Sequence, residues 1–424
     1  MTPEELRAAR WFRAKGRPIA GVEEHDRAPL DDGSALVVLE VRYADGGDPD
    51  RYLVPARHGA EPREGDGTWR AIVRAMATGA ELHGTRGVFR ASATSALGEL
   101  LPSPATAVEA LEERRLGVEQ SNTSVVLGDR LILKLYRLLE AGDNPDLEIG
   151  GFLTEAGFPD TPAVAGAMTY DDPERGTATA AMLQAFEPSS GDAWAAMLRA
   201  LATDPAEATR LAATLGDVTA RMHAALASDP DAPGFPARPA TTVETAAWRA
   251  AGERELAAAI GSLGGADHDR LVALAPAVTA RFADAFGRAT GDEVVTRIHG
   301  DYHLGQVLAR TDGGLSVIDF EGEPARPLAE RREPSSPLRD VAGMLRSLDY
   351  AARTADRGPH APGFDAHAWL AEARDAFLAP TGAAGGLVDA FELAKACYEI
   401  RYEAHNRPGW LWLPMTAIER LVAA

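Results

Sequence analysis

The sequence predicts an α+β fold, with strand-rich sequence in its first 187 residues and helix-rich sequence in the remainder. Residues 34–43 and 118–137 carry short apolar runs separated by Gly, Asp and Asn turns, a pattern typical of antiparallel strands. From residue 192 to residue 290 the composition shifts to Ala, Leu, Arg and Asp with helical spacing. Two polar loops that follow apolar runs within residues 294–322 indicate which kind of α+β protein this is.

Length and charge limit the classes of protein to consider. A chain of 424 residues predicts two or three domains, and 46% hydrophobic with 25% charged residues is typical of a globular protein. The 63 acidic and 43 basic residues give a net charge of -20. Such a charge repels nucleic acid and anionic membranes, so we expect neither as a partner.

The single cysteine, Cys397, excludes an intramolecular disulfide and a cysteine-rich zinc site, and is compatible with a reducing compartment. The N-terminus is charged from residue 4 onward and has no apolar core of a secretory signal. No stretch approaches 18 continuous apolar residues. We therefore expect a cytoplasmic protein, and a monomer.

The N-terminal region reads as a small α/β cap. Its predicted elements are a helix over residues 3–12, paired strands over 34–43 and 51–55, a helix over 68–78 and a strand over 87–91. It contains no catalytic constellation. The predicted domains are a cap over residues 1–105, a nucleotide-binding lobe over 106–187 and a mainly helical lobe over 188–424.

A hairpin pattern over residues 118–137 offers groups that could hold a nucleotide. Its polar turn can supply backbone amides and hydroxyls to phosphates, and Lys134 lies on the following strand. The turn residues are Ser121, Asn122, Thr123 and Ser124. The alternative is a hydroxyl-rich hairpin with one snorkelling lysine.

The next helix favours the nucleotide interpretation. Asn144 and Pro145 form a helix start, and Glu148 lies on its first turns. In kinases, a glutamate from this helix pairs with the strand lysine and holds it on the phosphates. We choose Glu148 for that pair, with Glu155 as the alternative.

Residues 177–186 read as the last strand of this lobe, and residues 187–191 as a linker. In a two-lobed kinase the adenine edge bonds backbone groups at this junction. Gln184, Phe186 and Glu187 are therefore hinge candidates.

The two polar loops have the layout of a kinase catalytic loop and metal loop. Asp301, in His-Gly-Asp, would orient the attacking hydroxyl, and Asp319, in Asp-Phe-Glu-Gly, would bind Mg²⁺. Gln306 would supply an amide oxygen to the metal, with Glu321 as a further ligand. Either loop alone could be an ordinary strand-capping turn. Together, in this order and 18 residues apart, they predict a protein-kinase-like fold.

Neighbouring residues read as scaffold. His299 is interpreted as a packed structural histidine, and Met222 and His223 as core residues of a helix over residues 211–226. Asp340 begins the helix over residues 338–350, where it could brace the catalytic loop or simply complement the helix dipole.

An amphipathic helix over residues 390–406 could form the acceptor site. Its polar side carries two carboxylates, a phenol, a lysine and an amide, namely Glu399, Glu403, Tyr402, Lys395 and Asn406. Trp410 or Trp412 could stack on the apolar face of a sugar. The alternative is an ordinary solvated face.

These motifs carry a family resemblance. The segments HGDYHLGQVL, VIDFEGEPARPLAERR and RDVAGMLRSLDYAA resemble the actinobacterial maltokinase-like branch of the aminoglycoside phosphotransferase group, which includes glucosamine kinases. The similarity extends to RWFRAKGR, EQSNTSVVLGD, LKLYR, NPDLE and YEIRYEAHNRP, and so covers nearly the whole chain.

The resemblance implies a two-lobed, aminoglycoside phosphotransferase-like fold with an N-terminal cap, using Mg²⁺ and ATP. It implies Asp301 as the base, Gln306 and Asp319 as metal ligands and Lys134 on the phosphates. It also places His303 near the sugar.

One departure from the family pattern bears on the substrate. Maltokinases carry a Trp just before the Arg-Asp of the RDVAGMLRS helix, whereas Pro337 and Leu338 precede Arg339 here. We therefore expect a kinase that converts glucosamine to glucosamine 6-phosphate. The alternatives are a maltokinase making maltose 1-phosphate, an aminoglycoside antibiotic phosphotransferase, and a nucleotide-binding module without catalysis.

Overall fold

The computed structural model describes residues 1–117, 121–289, 291, 293–324 and 326–423. The chain forms two compact units. The first unit comprises Met1–Pro188 with Arg326–Glu330, and the second comprises Ser189–Ala325 with Arg331–Ala424. None of the helices in the described ranges is both long enough and apolar enough to cross a membrane.

The first unit contains ten strands and five α-helices in the described residues. The strands are β1 (Ile19–Pro29), β2 (Ala35–Tyr43), β3 (Asp50–Ala56), β4 (Glu81–His83), β5 (Val88–Ala93), β6 (Glu113–Arg115), β7 (Asn122–Leu127), β8 (Leu131–Tyr136), β9 (Val164–Asp172) and β10 (Gly176–Ala185). The helices are α1 (Pro3–Ala8), α2 (Thr68–Thr78), α3 (Ser95–Leu100), α4 (Pro104–Ala107) and α5 (Pro145–Glu155). A short 3₁₀ turn follows α4.

These strands form two antiparallel sheets. The smaller has the order β1-β2-β3, and the larger has the order β4-β5-β9-β10-β8-β7-β6. Strands β4 and β5 come before residue 105, yet β5 pairs with β9 of the larger sheet. The predicted division between cap and nucleotide-binding lobe near residue 105 therefore falls after two strands of that sheet, and it stays a prediction.

Strand β2 is buried on both faces, which explains its nearly continuous apolar sequence. Leu36 and Val38 pack in one core with Trp69 of α2. Val37 and Val41, which alternate with them, pack in a second core. The predicted pairing of this strand with β3 and the predicted helix over residues 68–78 are both confirmed.

Strand β1 was not predicted. Its sequence, IAGVEEHDRAP, carries five charged or ionisable side chains that have low strand propensity, but pairing with β2 outweighs this preference. Predicted helix 3–12 is also shorter than expected, because α1 ends at Ala8.

Asp26 of β1 anchors the smaller sheet to the turn before β5. Its carboxylate accepts hydrogen bonds from the backbone N–H groups of Thr85 (2.6 Å) and Gly87 (2.8 Å) and from the Tyr170 hydroxyl (2.8 Å). Burial acts to raise the pKa of Asp26, but these bonds outweigh it and lower the pKa to about 2. A Cβ at Gly84 would collide with this carboxylate, so the close approach requires glycine.

The second unit is mainly helical. Its helices are α6 (Ala193–Thr203), α7 (Pro205–Leu226), α8 (Thr242–Ser262), α9 (Gly265–Arg288), α10 (Leu328–Arg331), of which only Arg331 belongs to this unit, α11 (Leu338–Arg357), α12 (Ala366–Thr381), α13 (Gly386–Asn406) and α14 (Trp412–Ala423). Its strands are β11 (Ser189–Asp192), β12 (Arg238–Pro239), β13 (Val294–Val295), β14 (Val307–Arg310) and β15 (Leu315–Val317). Strands β11, β14 and β15 form one sheet, and β12 pairs with β13.

The core of this unit packs α8, α9, α13 and α14 together, and the Phe286 ring contacts both Phe282 and Phe391. Cys397 is fully buried there, and burial raises the pKa of its thiol, so it is an inert core residue.

Candidate active site

The loop that carries Asp301 is held from beneath by Asp340, in the first turn of α11. The buried Asp340 carboxylate accepts hydrogen bonds from the N–H groups of His299 (2.8 Å) and Gly300 (2.9 Å), and Nε2 of His223 lies 2.9 Å away. Burial acts to raise the pKa of Asp340, but His223 and the bond from Gly300 hold it below its usual value. Of the two roles considered for Asp340, the structure shows the bracing role.

His299 ties this loop to the predicted metal loop. Its ring packs on Phe320, Nε2 lies 3.0 Å from the carbonyl oxygen of Ile318, and Nδ1 accepts a long bond from the Asp301 N–H. The two loops also touch backbone to backbone, since a Cβ at Gly300 would lie 3.3 Å from the Cα of Gly322. His299 is therefore a packed structural residue, as interpreted from the sequence.

The predicted metal ligands Gln306 and Asp319 are adjacent. Gln306 Nε2 donates a hydrogen bond to Asp319 Oδ2 at 3.1 Å, so the amide oxygen is the Gln306 atom that would ligate a metal. Asp319 has a φ of 67°, a strained conformation that surrounding structure must impose and that is typical of functional sites. Glu321 is nearly buried close by in the chain. Two carboxylates and an amide oxygen fit the hard oxygen donors that Mg²⁺ prefers.

Asp301 lies in a group of charged side chains that we call the acceptor cluster: Asp301, His303, Glu323 and Lys395. Lys395 Nζ lies 3.4 Å from Asp301 Oδ1 and 3.8 Å from Glu323 Oε1. His303 Nε2 lies 4.0 Å from Asp301 Oδ2. The structure thus brings together three residues predicted for the acceptor site.

Burial and neighbouring charges both act on the pKa values of the acceptor cluster. Burial acts to lower the pKa of Lys395, but the nearby carboxylates of Asp301 and Glu323 outweigh this effect. The pKa of Lys395 therefore lies above its usual value. Desolvation lowers the pKa of His303, although Asp301 opposes the shift. At neutral pH we therefore expect a cationic lysine beside a neutral imidazole.

Sequence reasoning missed Glu323 and Tyr398. The ring of Tyr398 lies 4.7 Å from Lys395 Nζ, one helical turn away on α13. Helical spacing from Lys395 could have identified Tyr398. Glu323 directly follows Gly322, the last residue of the predicted metal loop. The sequence carried no signal that distinguished Glu323 from Glu321.

The polar stripe predicted along α13 does not form one continuous surface. Arg346 of α11 donates to Glu399 at 2.9 Å, and burial raises the pKa of this glutamate. Glu403 is only 1% exposed, and its carboxylate binds Arg407 through two bonds and the Tyr350 hydroxyl at 3.0 Å. Both carboxylates are therefore engaged with arginines: Glu399 with the buried Arg346 of α11, and Glu403 with the half-exposed Arg407 at the end of α13 itself.

The aromatic residues predicted for the acceptor site differ in their contacts and in their exposure to solvent. Trp410 stacks on Tyr350, with ring planes 6° apart, and Arg357 lies over the ring of Trp412. Tyr402 is 44% exposed, and Asn406 is also exposed. Stacking of Trp410 on a sugar stays a prediction, since one face of its ring already covers Tyr350.

In the first unit, Lys134 of β8 donates to Asp146 Oδ2 at 2.7 Å, and the Tyr136 hydroxyl donates to the same oxygen at 3.0 Å. Asp146 lies in the first turn of α5, whose N-cap is Asn144. The helix therefore starts as predicted, but the partner shown for the lysine is Asp146 where the sequence favoured Glu148, two residues on. Glu155 is the last residue of the helix.

The other nucleotide candidates lie in or beside strands. Asn122, Thr123 and Ser124 belong to β7, so the polar turn predicted at 121–124 was wrong except for Ser121 at its edge. The strand predicted over residues 118–120 lies outside the described residues. Thr123 accepts a bond from the buried Arg137 at 2.8 Å. A hydroxyl used in this way is less available to a phosphate.

The hinge candidates lie at the end of β10 and directly after it. Gln184 pairs with β8 near the end of β10, and the Phe186 N–H donates to the carbonyl of Arg130 at 2.9 Å. Glu187 is the next residue. Their binding of adenine stays a prediction.

Comparison with known proteins decides the family. Residues 111–372, more than half of the chain, match the phosphotransferase enzyme family, and residues 6–86 match the maltokinase N-terminal cap domain. This chain belongs to the phosphotransferase enzyme family. The predicted kinase-like α+β fold with an N-terminal cap and the predicted phosphotransferase class are confirmed.

Relatives of this phosphotransferase cover nearly its whole length. It is 31% identical to a glucosamine kinase of Streptacidiphilus jiangxiensis, over 93% of this chain and 90% of the relative. It is 28% identical to a glucosamine kinase of Mycolicibacterium smegmatis, over 94% and 98%. A solved glucosamine kinase in complex with glucosamine, ADP and inorganic phosphate matches with a TM-score of 0.74 and 28% identity, over 99% and 100% of the two chains.

Proposed function

We propose that this protein is an ATP-dependent kinase that phosphorylates glucosamine on its 6-hydroxyl group. The observation that carries the proposal is the acceptor cluster, in which Asp301, on a braced loop, lies beside the cation of Lys395 and near His303. The nearly full-length similarity to glucosamine kinases, one of them solved with glucosamine and ADP, supports this choice of substrate.

In this proposal Asp301 accepts a hydrogen bond from the acceptor hydroxyl and aims its oxygen at the γ-phosphorus of ATP. The new bond joins that oxygen to phosphorus, the bond to the bridging oxygen of ADP breaks, and the hydroxyl proton passes to Asp301. Lys395 fixes Asp301 Oδ1 and leaves Oδ2 to face the substrate. His303 is positioned to bond a sugar hydroxyl.

Gln306, Asp319 and Glu321 would hold Mg²⁺, which supplies charge neutralisation to the phosphates when bound. Lys134 would add a second positive charge. All of these residues come from one chain, and ATP is plentiful in the cytoplasm, so we propose a cytoplasmic enzyme that is active as a monomer.

The match of residues 6–86 to a maltokinase cap domain favours one alternative, phosphorylation of maltose at its anomeric oxygen. The two substrates differ in charge. Glucosamine carries an ammonium group that an acidic cluster can bind, whereas maltose is neutral.

A substrate panel tests the proposal, with ATP consumption as the measurement and glucosamine, glucose, N-acetylglucosamine, maltose and kanamycin as acceptors. We expect kcat/KM for glucosamine to exceed that for glucose about ten- to a hundredfold, because a charged hydrogen bond contributes about 1.5–3 kcal/mol. N-acetylglucosamine should fail. Maltose as the best acceptor would establish the alternative, and kanamycin as the best acceptor would indicate antibiotic modification.

A further inference from the structure

The hairpin of β7 and β8 has one polar and one apolar face. Lys134 and Tyr136 lie two residues apart on β8, so their side chains point to the same side of the sheet. Ser124 of β7 pairs with Lys134, and residues directly opposite in an antiparallel pair share a face. Asn122 pairs with Tyr136 in the same way. Leu133, which alternates with them, packs in the apolar core on the other face. Tyr136 therefore lies on the face that carries the candidate nucleotide groups.

Tyr136 and Lys134 bind the same carboxylate oxygen. The Tyr136 hydroxyl donates to Asp146 Oδ2 at 3.0 Å, and Lys134 Nζ donates to that oxygen at 2.7 Å. The tyrosine and the aspartate are each only 3% exposed. The ring of Tyr136 packs with Val164 and Met182, so its hydroxyl has little freedom to move. The hydroxyl is therefore a fixed donor to this carboxylate.

Asp146 is also held from the side of its own helix. Its backbone N–H donates at 2.9 Å to the side chain of Asn144, which is the N-cap of α5. This bond restrains the backbone of Asp146, and the Tyr136 hydroxyl restrains the rotation of its carboxylate. Lys134 has a long, flexible side chain, so the position of its ammonium group depends on the partners that hold it. A carboxylate held in one orientation therefore holds the ammonium group in one place.

We propose that Tyr136 is a positioning residue for the nucleotide, which acts through Asp146 to hold Lys134 where the α- and β-phosphates bind. A lysine that is already in place loses less conformational entropy when the phosphates arrive, so the nucleotide binds more tightly. This inference rests on the proposed function, because it assumes that Lys134 contacts these phosphates. Both phosphates are present in ADP, so ADP is a sufficient probe.

A purely structural role for the hydroxyl has a different consequence, and Tyr170 provides the matched control. Tyr170 of β9, in the same sheet, is also buried, and its hydroxyl donates to the carboxylate of Asp26 at 2.8 Å. Removing either hydroxyl takes one donor from a buried carboxylate, so both Tyr136→Phe and Tyr170→Phe should lower the melting temperature. Only the substitution of Tyr136 should also weaken the binding of the nucleotide.

The test measures the binding of ADP by calorimetry, in the presence of Mg²⁺ and without a sugar. We expect Tyr136→Phe to raise the Kd for ADP about three- to tenfold, because one hydrogen bond that positions the lysine is lost. Tyr170→Phe should leave this Kd within about twofold of the wild-type value. The Kd does not depend on the fraction of folded protein, which the measured stoichiometry gives separately. An unchanged Kd in Tyr136→Phe, or an equal increase in Tyr170→Phe, would overturn the inference.

A double substitution tests whether Tyr136 acts through the lysine. In a protein that already carries Lys134→Ala, adding Tyr136→Phe should change the Kd for ADP by less than about twofold, because the group that the hydroxyl positions is gone. If the two losses of affinity instead multiply in full, Tyr136 acts independently of Lys134 and the inference is wrong. Failure of the proposed function looks different, because the wild-type protein would then bind ADP but not phosphorylate glucosamine.

Discussion

Two groups of charged residues lie along α13, and they are built differently. At the start of the helix, Glu392 is bound by Arg374 at 2.9 and 3.0 Å and by Arg420 at 2.6 Å, and nearby Arg346 binds Asp349 at 2.6 Å. We call these five residues the buried ion network. In the acceptor cluster, by contrast, Lys395 Nζ lies 3.4 and 3.8 Å from the carboxylates of Asp301 and Glu323, and the His303 ring lies 4.0 Å from Asp301.

The difference indicates which charges are structural and which can serve a ligand. In the buried ion network each charge is matched by a short hydrogen bond, so adding or moving a group would cost free energy. In the acceptor cluster, Lys395 holds Asp301 through one long hydrogen bond of 3.4 Å, so a substrate can compete for that carboxylate. We therefore expect substitutions in the network to change stability, and substitutions in the cluster to change catalysis.

The largest expected effect is that of Asp301→Asn. Loss of the charge that orients the acceptor hydroxyl should lower kcat about 10²- to 10⁴-fold, while the melting temperature changes little. Steady-state kinetics and thermal unfolding on the same sample check both halves. Retention of more than about a tenth of kcat, a loss below roughly 1.4 kcal/mol, would remove Asp301 from its assigned role.

In the buried ion network, Arg346→Met should destabilise the protein by about 3–5 kcal/mol, because it removes the arginine bound to the buried Glu399 and the shorter of the two arginine bonds to Asp349. Urea unfolding measures the change. The matched control is Arg210→Met, whose arginine pairs on the surface of α7 and should contribute less than about 1 kcal/mol. Equal effects of the two substitutions would contradict the distinction between network and surface charges.

The substitution Lys134→Ala should weaken the binding of ATP and leave the binding of the sugar nearly unchanged. We expect the KM for ATP to rise about ten- to a hundredfold, as for the loss of a charged hydrogen bond, and the KM for glucosamine to stay within about threefold. The reverse pattern would show that the lysine of β8 does not serve the nucleotide.

The smallest expected effect concerns Asp26 of the first unit, whose carboxylate accepts several hydrogen bonds. Its folded pKa of about 2 lies below the ordinary value of 3.8, so the charged form stabilises the fold above pH 4. Asp26→Asn should therefore cost about 2 kcal/mol at pH 7, and the difference from wild type should disappear as the pH falls from 4 through 2. A difference that stays constant over this range would mean that the carboxylate charge is not responsible.

The parts of this structure that could be predicted from sequence are those fixed by local pattern. Helix α2 spans residues 68–78 as expected, because its apolar residues recur with helical spacing and Gly79 ends it. The catalytic and metal loops were recognised because a few residue types must occur in fixed order. Asp301 and Lys395, both expected at the acceptor site from these patterns, lie 3.4 Å apart, and His303, which the family resemblance placed there, lies 4.0 Å from Asp301.

The parts that could not be predicted depend on partners distant in sequence. A helical projection places Glu399 and Glu403 on a polar side of α13, but it does not show that Arg346 lies opposite one of them. Asp146 lies in the first turn of α5 and accepts a bond from Lys134, a partner that the sequence did not single out. Strand β1 is held by its pairing with β2, against the preferences of its own residues.

The central claim is that the acceptor cluster presents the 6-hydroxyl of glucosamine to ATP. The most direct measurement is the NMR spectrum of the product formed by the wild-type protein from glucosamine, ATP and Mg²⁺. We predict phosphate on the 6-oxygen, and no such product from Asp301→Asn in the same time. Phosphate on another position of glucosamine, or on the anomeric oxygen of maltose in preference to glucosamine, would contradict the claim.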